Sequence, residues 1–228
     1  MQSFDPEGDL NLCIPMVAHE MMTSIHITKG YLGLLDESVQ TLSRTINEYQ
    51  SRGNQEFDHL TQLIEKLLHV YRYKAKGVSL KLESVDITQM LREELRPFEL
   101  KHPEIAFQVD MVSNLKKVLM DPSEMKELFR VLFENGVKYT PNGEHFDIRL
   151  DQDAFDTILT FKNTGVGIDD LEAVLRPFAR DNYMQAGVGL GFVIAQNVVK
   201  LHGGSFSLSS DGSTYVEVQV RIPHVEVE

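Results

Sequence analysis

The stretch Val17-Ala18-His19-Glu20-Met21-Met22-Thr23-Ser24-Ile25 lies near the start of a long amphipathic segment, which predicts a helical N-terminal domain. Residues four apart share a helix face, so Thr23 is expected over His19, with Glu20 about 100° around the helix. An imidazole with a carboxylate and a hydroxyl nearby is a workable layout for a nucleophilic surface histidine. A His-Glu pair alone is more often a solvated ion pair, so its interpretation depends on the rest of the chain.

Two amphipathic helices are predicted in this domain. The first runs from about residue 12 to residue 50, Ser51-Arg52-Gly53-Asn54 breaks it, and the second runs from about residue 55 to residue 76. One apolar stripe per helix is typical of half a four-helix bundle, and two helices alone bury too little surface, so a homodimer is expected. The stripes consist of Val17, Met21, Ile25, Leu32, Leu35, Val39, Leu42 and Ile46, and of Leu60, Leu63, Ile64, Leu67, Leu68 and Tyr71.

After Gly77 the pattern changes to short alternating segments with helices between them. Helices are predicted over residues 87–100, after the cap Asp86, from Asp121-Pro122 onward, and over residues 192–201. The predicted fold class is therefore α+β: a helical hairpin over residues 1–77, then an α/β sandwich over residues 78–228 with a mixed sheet and helices on one face. Strands are predicted over 78–82, 105–109, 117–120, 146–150, 157–161, 205–209 and 214–222.

Composition narrows the class of partner. A net charge of −12 argues against nucleic acid and anionic membranes, because binding phosphate on that scale needs a basic surface. The single cysteine, Cys13, rules out an internal disulfide and fits a reducing, cytoplasmic compartment. No run of about 18 apolar residues is present, so no membrane-spanning segment is expected in this sequence.

Three stretches of the second domain carry side chains or glycines suited to a nucleotide. In Glu134-Asn135-Gly136-Val137-Lys138-Tyr139-Thr140, the Asn135 carbonyl suits Mg²⁺ and Lys138 suits phosphate, although for this stretch alone helix-end polarity is the better explanation. Asn163-Thr164-Gly165-Val166-Gly167-Ile168 follows a strand and lets a flat ligand approach the backbone, or forms a tight turn. Gly187-Val188-Gly189-Leu190-Gly191 opens a helix, where bare backbone N–H groups favour phosphate.

In this order, the stretches resemble those of the sensor histidine kinases. The hairpin is similar to their dimerisation and phosphoacceptor domain, and the sandwich is similar to their ATP-binding domain, of the Bergerat type shared with gyrase and the Hsp90 chaperones. The resemblance covers about residues 10–223, and its blocks fall in family order. These blocks are His19-Glu20, Asn135, Gly165 with Gly167, Pro177-Phe178 with Arg180, and Gly187 with Gly189 and Gly191.

The resemblance implies a phosphoryl-transfer role for each matching residue of the first domain. His19 would be the phosphoacceptor that attacks the γ-phosphate of ATP, and Glu20 would orient the proton on the other ring nitrogen. Thr23 would position the water that dephosphorylates a partner response regulator. The implied partners are a second copy of the chain and a receiver domain.

In the second domain the resemblance implies an ATP–Mg²⁺ site. Asn135 would hold Mg²⁺, Arg180 would reach the γ-phosphate, and Asn163 stands where the family reads the adenine amino group. The other implied contacts are Lys138 and Tyr139 at the phosphates or ribose, Gly165 and Gly167 beneath the adenine, and Gly187, Gly189 and Gly191 over the phosphates.

Several positions depart from the family pattern. Asn163 replaces an aspartate, which weakens the hydrogen bond to adenine by about 1 kcal/mol because the acceptor is no longer charged. Val131 replaces a second asparagine, Met22 and Ser24 replace an arginine and a proline, and the lid over residues 181–186 is short.

Two functions follow from these matches and departures. The first is a histidine kinase core that phosphorylates His19 and passes the phosphoryl group to an aspartate of a response regulator. The alternative is a degenerate histidine phosphotransferase or regulatory pseudokinase that docks a receiver domain and binds ATP weakly or not at all. A structural dimer without phosphate chemistry would make the arrangement of His19, Glu20 and Thr23 a coincidence.

Overall fold

The computed structural model describes residues 20–21, 23–31, 33–34, 43–74, 79–113, 115–165, 167–179 and 189–224, without the side chains of residues 43–47, 50, 68, 71, 72 and 74. The chain divides into two compact units, Met1–Lys76 and Gly77–Glu228. None of the described helices is both long enough and apolar enough to cross a membrane.

The first unit contains two helices that contact each other. Helix α1 comprises residues 20–21, 23–31 and 33–34, and α2 is Ser43–Lys74. The Tyr31 ring of α1 lies 5.9 Å from the Tyr49 ring of α2, and the Arg52 guanidinium donates to the Tyr31 hydroxyl at 3.3 Å. Contact between the end of α1 and the start of α2 is the contact expected of an antiparallel pair.

The predicted break at residues 51–54 is wrong, because α2 passes through them without interruption. Arg52 forms an ion pair with Glu48 one turn earlier, at 2.9 Å, and Gly53 is a single helix-weakening residue. A glycine costs about 1 kcal/mol within a helix, which continued hydrogen bonding and packing on both sides outweigh. Consequently the predicted helix over residues 12–50 is also wrong, since α2 already begins at Ser43.

The second unit is built on a five-stranded mixed sheet with the order β2-β4-β5-β7-β6. Strand β2 runs parallel to β4, and every other neighbouring pair is antiparallel. Alternation of buried and more exposed residues along β4, β5 and β7 places one face of the sheet against helices and the other towards solvent. The strands are β1 Glu83–Val85, β2 Ala106–Met111, β3 Val118–Met120, β4 His145–Gln152, β5 Asp156–Thr164, β6 Ser205–Ser210 and β7 Tyr215–Pro223.

Helices cover the buried face and complete the core. Asp86 caps α3 as predicted, accepting from the Gln89 N–H. Helix α4 starts at Asp121-Pro122 as predicted, and Asp121 caps it by accepting from the Ser123 and Glu124 N–H groups. Phe129, Phe133 and Phe161 form an aromatic cluster between α4 and the sheet, with ring centroids 5.9–6.4 Å apart. The helices are α3 Ile87–Lys101, α4 Pro122–Tyr139, α5 Leu171–Val174 and α6 Gly191–Leu201. The predicted sandwich, with a mixed sheet and helices on one face, is therefore confirmed.

One predicted strand is displaced. Residues 79–82 contain no regular strand, and β1 lies just after them at Glu83–Val85. It pairs antiparallel with β3 in a separate two-stranded sheet rather than joining the main sheet. Pairing with β3, which is distant in sequence, therefore decides where the strand forms.

Candidate functional site

A cavity of about 280 Å³ lies between α4, α6, β5 and β7 in the second unit. Its wall combines apolar side chains with carboxamides and glycine backbone, a composition typical of small-molecule sites. Its lining residues are Leu132, Asn135, Gly136, Tyr139, Phe146, Phe161, Asn163, Gly167, Ile168, Asp169, Val174, Ala179, Gly189, Gly191, Phe192, Gly212, Val216 and Val218.

The Asn135 side chain meets the first turn of α6. A Cβ placed on Gly191 would lie 2.8 Å from Asn135 Nδ2 and 3.2 Å from Oδ1, so any other residue there would have to displace the carboxamide. Gly191 is the first residue of α6, whose opening turn presents backbone N–H groups. One wall of the cavity thus brings together a carboxamide, whose oxygen can bind a metal ion, and a helix N-terminus, whose N–H groups can bind an anion.

Asn163 lies in the middle of the sheet beneath the cavity and is 7% exposed. Its Nδ2 donates to the backbone carbonyl of Tyr139, the last residue of α4, at 3.4 Å. Because a carbonyl oxygen can only accept, the NH₂ group of Asn163 must face Tyr139. The carboxamide oxygen of Asn163 is therefore the atom left to accept a hydrogen bond from a ligand.

The turn before β7 closes over Gly167. A Cβ on Gly167 would overlap the backbone of Gly212 and Ser213, so the turn can approach only a glycine. Asp211 orders this turn by accepting from the hydroxyl and N–H of Thr214 and from the N–H of Ser213. These donors hold the pKa of the Asp211 carboxyl well below its ordinary value.

Two segments meet at the cavity where α6 begins. The Phe178 N–H donates to the Gly189 carbonyl at 3.0 Å, and a Cβ on Gly189 would overlap the Ala179 carbonyl oxygen. Both Phe178 and Gly189 have positive φ angles, 66° and 69°, and only glycine adopts that conformation without steric cost. The predicted block Pro177-Phe178 therefore lies beside the glycine block that opens α6.

Two predicted residues that the structure describes, Lys138 and Gly165, do not line the cavity. Lys138 donates to the Tyr139 hydroxyl at 3.0 Å, and its Nζ lies 4.6 Å from the centroid of that ring. A Cβ on Gly165 would lie 2.7 Å from the Tyr139 carbonyl oxygen, so Gly165 supports the end of α4. Asn135, Tyr139, Asn163, Gly167, Gly189 and Gly191 line the cavity directly.

Glu20 and Thr23 belong to α1 in the first unit, where Glu20 is half-buried and Thr23 is exposed. His19, Arg180, Gly187, Met22 and the predicted lid over residues 181–186 lie outside the described residues. Ser24 is 3% exposed, and its carbonyl accepts from the Thr28 hydroxyl at 2.8 Å. The position where the family has a proline therefore continues the helix here.

Sequence patterns missed the apolar part of the wall. Phe146, Phe161, Val216 and Val218 face inward through the alternation of their strands, a signal that identifies buried positions but not which of them border a cavity. Val131, in contrast, is 1% exposed and does not line the cavity. At position 131, where the family has a second asparagine, this chain therefore has an apolar core residue.

The predicted Mg²⁺ would depend on few protein ligands. Among the residues that the structure describes, no three His, Cys, Asp or Glu side chains cluster closely enough to hold a metal ion. Mg²⁺ commonly takes one or two protein oxygens together with phosphates and water. The Asn135 carboxamide against the first turn of α6 fits that pattern, whereas the neighbouring Glu134 is bonded to Arg130 at 2.6 Å.

Comparisons with known proteins agree with this arrangement. Residues 120–226 match the family described as histidine kinase-, DNA gyrase B-, and HSP90-like ATPase. The signal transduction histidine-protein kinase ArlS of Staphylococcus aureus is 25% identical over 207 residues, which are 87% of this chain and 46% of ArlS. The chain thus spans about half the length of the curated relatives it matches.

Two solved structures share the fold. The Acinetobacter baumannii histidine kinase AdeS is similar with a TM-score of 0.73 and 20% identity, over 91% of this chain and 98% of that one. Histidine kinase ThkA, in complex with response regulator protein TrrA, is similar with a TM-score of 0.68 and 20% identity, over 92% of this chain and 60% of that one. The chain is therefore a relative of the sensor histidine kinases, and its residues 120–226 belong to the histidine kinase-, DNA gyrase B-, and HSP90-like ATPase family.

Proposed function

We propose that this chain is the core of a two-component histidine kinase, which binds ATP with Mg²⁺, phosphorylates His19 and transfers the phosphoryl group to an aspartate of a response regulator. The observation that carries the proposal is the cavity wall that joins Asn135, the first turn of α6 and the Asn163 carboxamide. That wall combines an acceptor for a base, a metal-binding oxygen and backbone donors for phosphate.

The base would lie on the apolar wall next to Asn163. An acceptor oxygen there complements the exocyclic amino group of adenine, whereas guanine presents a carbonyl oxygen that would be repelled. The Tyr139 carbonyl supports this assignment because it occupies the NH₂ side of the carboxamide. The proposed nucleotide is therefore ATP rather than GTP.

The phosphates would extend from the base towards α6. Backbone N–H groups of its first turn would bind phosphate oxygens, and Asn135 would hold Mg²⁺. Bound Mg²⁺ neutralises charge on the phosphates. Lys138, near Tyr139 at the end of α4, would add a cation that moves towards the nucleotide when it binds.

In the transfer, a ring nitrogen of His19 would form a bond to the γ-phosphorus while the bond to the bridging oxygen breaks and ADP leaves. Glu20 would hold the proton on the other ring nitrogen, which keeps the attacking nitrogen unprotonated. The phosphoryl group would then move to a receiver carboxylate, restoring His19. Thr23, exposed on α1, would position the water that hydrolyses the phosphoryl group from the receiver domain.

A second function, phosphotransfer or regulation without ATP binding, is favoured by two observations. Val131 provides no polar group to the cavity, and Asn163 provides no charge. A protein of this kind would still accept phosphate at His19 from a phosphorylated receiver domain. The ThkA complex with TrrA is a precedent in a similar fold for docking a response regulator.

The deciding experiment is incubation with γ-³²P-labelled ATP and Mg²⁺, with His19→Gln as the matched variant. The kinase function predicts acid-labile label on the wild type and none on His19→Gln, and calorimetry should detect ATP binding to both. If the wild type neither becomes labelled nor binds ATP, the proposed kinase function is wrong. Phosphate accepted from a labelled receiver domain under those conditions would establish the second function instead.

A further inference from the structure

Gly136 and Phe146 form a close contact at the floor of the cavity. A Cβ placed on Gly136 would overlap Cζ and Cε1 of the Phe146 ring and lie 2.6 Å from Cε2. The ring therefore occupies the space that any other side chain at position 136 would take. Both residues are buried and both line the cavity, and Phe146 is only 1% exposed.

The Phe146 ring has close neighbours on two of its sides. On its outer side the Phe107 ring of β2 packs against it edge to face, with centroids 5.9 Å apart. On the helix side it meets α4 at Gly136. A methyl group at position 136 would push the ring towards the adjoining space, which is the cavity.

Phe146 also lies beside the proposed base-reading residue. Phe146 and Asn163 are directly opposite each other on β4 and β5, and both face inward. Directly opposite side chains have Cβ atoms about 5 Å apart. Asn163 would accept a hydrogen bond from the exocyclic amino group of the base. A substituent on that amino group would therefore meet the Phe146 ring, which reaches from the sheet to α4.

We propose that Phe146, admitted by the absence of a side chain at Gly136, is a specificity-determining residue that closes the base end of the pocket. It would admit adenine and reject adenine nucleotides that carry a bulky group on the exocyclic amine. This inference rests on the proposed nucleotide function. It adds the size limit of the pocket and the residue pair that sets it.

The binding test compares ATP with N6-benzyl-ATP, in Mg²⁺, on wild type and Phe146→Ala. Overpacking typically costs tenfold or more, so the wild type should bind N6-benzyl-ATP about 10- to 100-fold more weakly than ATP. Phe146→Ala should reverse most of that difference. Phe98→Ala removes a ring that packs against Phe133 of α4 and does not line the cavity, so it should keep the wild-type preference.

The contact itself is tested by thermal unfolding. Gly→Ala normally stabilises a helix interior, because alanine has the higher helix propensity. Gly136→Ala should instead lower the melting temperature in the wild type and raise it in the Phe146→Ala background. Phe146→Leu replaces Phe146→Ala in both tests if the alanine variant does not fold.

Each outcome decides. Three results would overturn the pocket-size role while leaving the kinase proposal in place. They are equal wild-type binding of ATP and N6-benzyl-ATP, no greater gain in Phe146→Ala than in Phe98→Ala, and the same effect of Gly136→Ala in both backgrounds. If only Phe146→Ala binds ATP, the ring is supported as a pocket wall and the wild-type kinase falls. If neither binds, both proposals fall.

Discussion

At the scale of single residues, Asn163 shows how one substitution changes two contacts at once. An aspartate there would make a charge-assisted bond to adenine but would lose the donation to the Tyr139 carbonyl. That donation is long, at 3.4 Å, so its loss costs less than the charged acceptor gains. The binding effect should therefore dominate.

We expect Asn163→Asp to tighten ATP binding several-fold, up to about tenfold, since about 1 kcal/mol separates charged from neutral hydrogen bonds. Its melting temperature without nucleotide should fall slightly, because a carboxylate oxygen would face a carbonyl. Calorimetry and thermal unfolding measure the two effects. Unchanged or weaker binding would mean that the rest of the pocket is no longer built for a charged acceptor.

His202 is a buried histidine whose protonation state follows from its partners. Its Nε2 accepts from the Asp121 N–H at 3.0 Å, and its Nδ1 faces the Val198 carbonyl at 2.8 Å. The first nitrogen must therefore be bare and the second protonated, so the ring is neutral. The ring ties the end of α6 to the start of α4, the two helices that border the cavity.

His202→Ala should lower the free energy of unfolding by about 1–3 kcal/mol, because the buried Asp121 N–H loses its acceptor. Chemical denaturation at neutral pH measures the change. His145, which is exposed and hydrogen-bonded to Gln108, is the control, and its replacement by alanine should change little. Equal effects of the two substitutions would contradict this role.

At the scale of elements, α4 depends on the cap at its N-terminus. Burial of Asp121 by itself raises the pKa of the carboxyl, but hydrogen bonds from the backbone N–H groups of Lys81, Glu124 and Ser123 lower the pKa below its ordinary value. A carboxyl whose pKa is lower in the folded state contributes stability above its unfolded pKa of about 3.9. That contribution is lost as the pH falls through the folded pKa.

The wild type should therefore lose stability steadily as the pH falls below about 4, and Asp121→Asn should show a shallower acid slope. At pH 7 this substitution should cost about 1–3 kcal/mol, because an amide cannot accept the Lys81 N–H on its second atom. Urea unfolding from pH 7 to pH 3 measures both. Asp86→Asn is the matched control, since Asp86 caps α3 at an exposed site and asparagine caps equally well. A parallel acid slope in Asp121→Asn and the wild type would refute the assignment.

At the scale of the whole molecule, the helical unit exposes three large apolar side chains that bear on the predicted assembly, Ile25, Phe57 and Ile64. Ile25 was predicted on the inner stripe of the first helix and Ile64 on that of the second, yet they are 38% and 37% exposed. Phe57, seven residues before Ile64 and on the same face of α2, is 53% exposed. A second copy that covers this face remains our proposal for the assembly.

Light scattering should therefore give the mass of a dimer for the wild type and of a monomer for Phe57→Glu/Ile64→Glu. Buried charges at an apolar interface cost several kcal/mol, enough to dissociate it. Phe155→Glu, at a 78% exposed position in the other unit, should remain dimeric. A monomeric wild type, or a double variant that stays dimeric, would exclude this interface.

Local patterns in the sequence determined much of this protein. The resemblance to the sensor histidine kinases predicted a common site for Asn135, Asn163, Gly167, Gly189 and Gly191, which line one cavity. Strand alternation and capping residues predicted the sandwich. These features are local, because a period of two or a cap at a helix start is a property of neighbouring residues.

The tertiary structure alone decided the rest. Partners outside the local sequence decided the pairing of β1 with β3, the orientation of the Asn163 carboxamide and the position of the Phe146 ring against Gly136. A residue's own neighbours carry no information on which distant backbone or ring will fill the space beside it. Close packing makes that choice, since each buried polar group needs a partner and each buried volume can be filled only once.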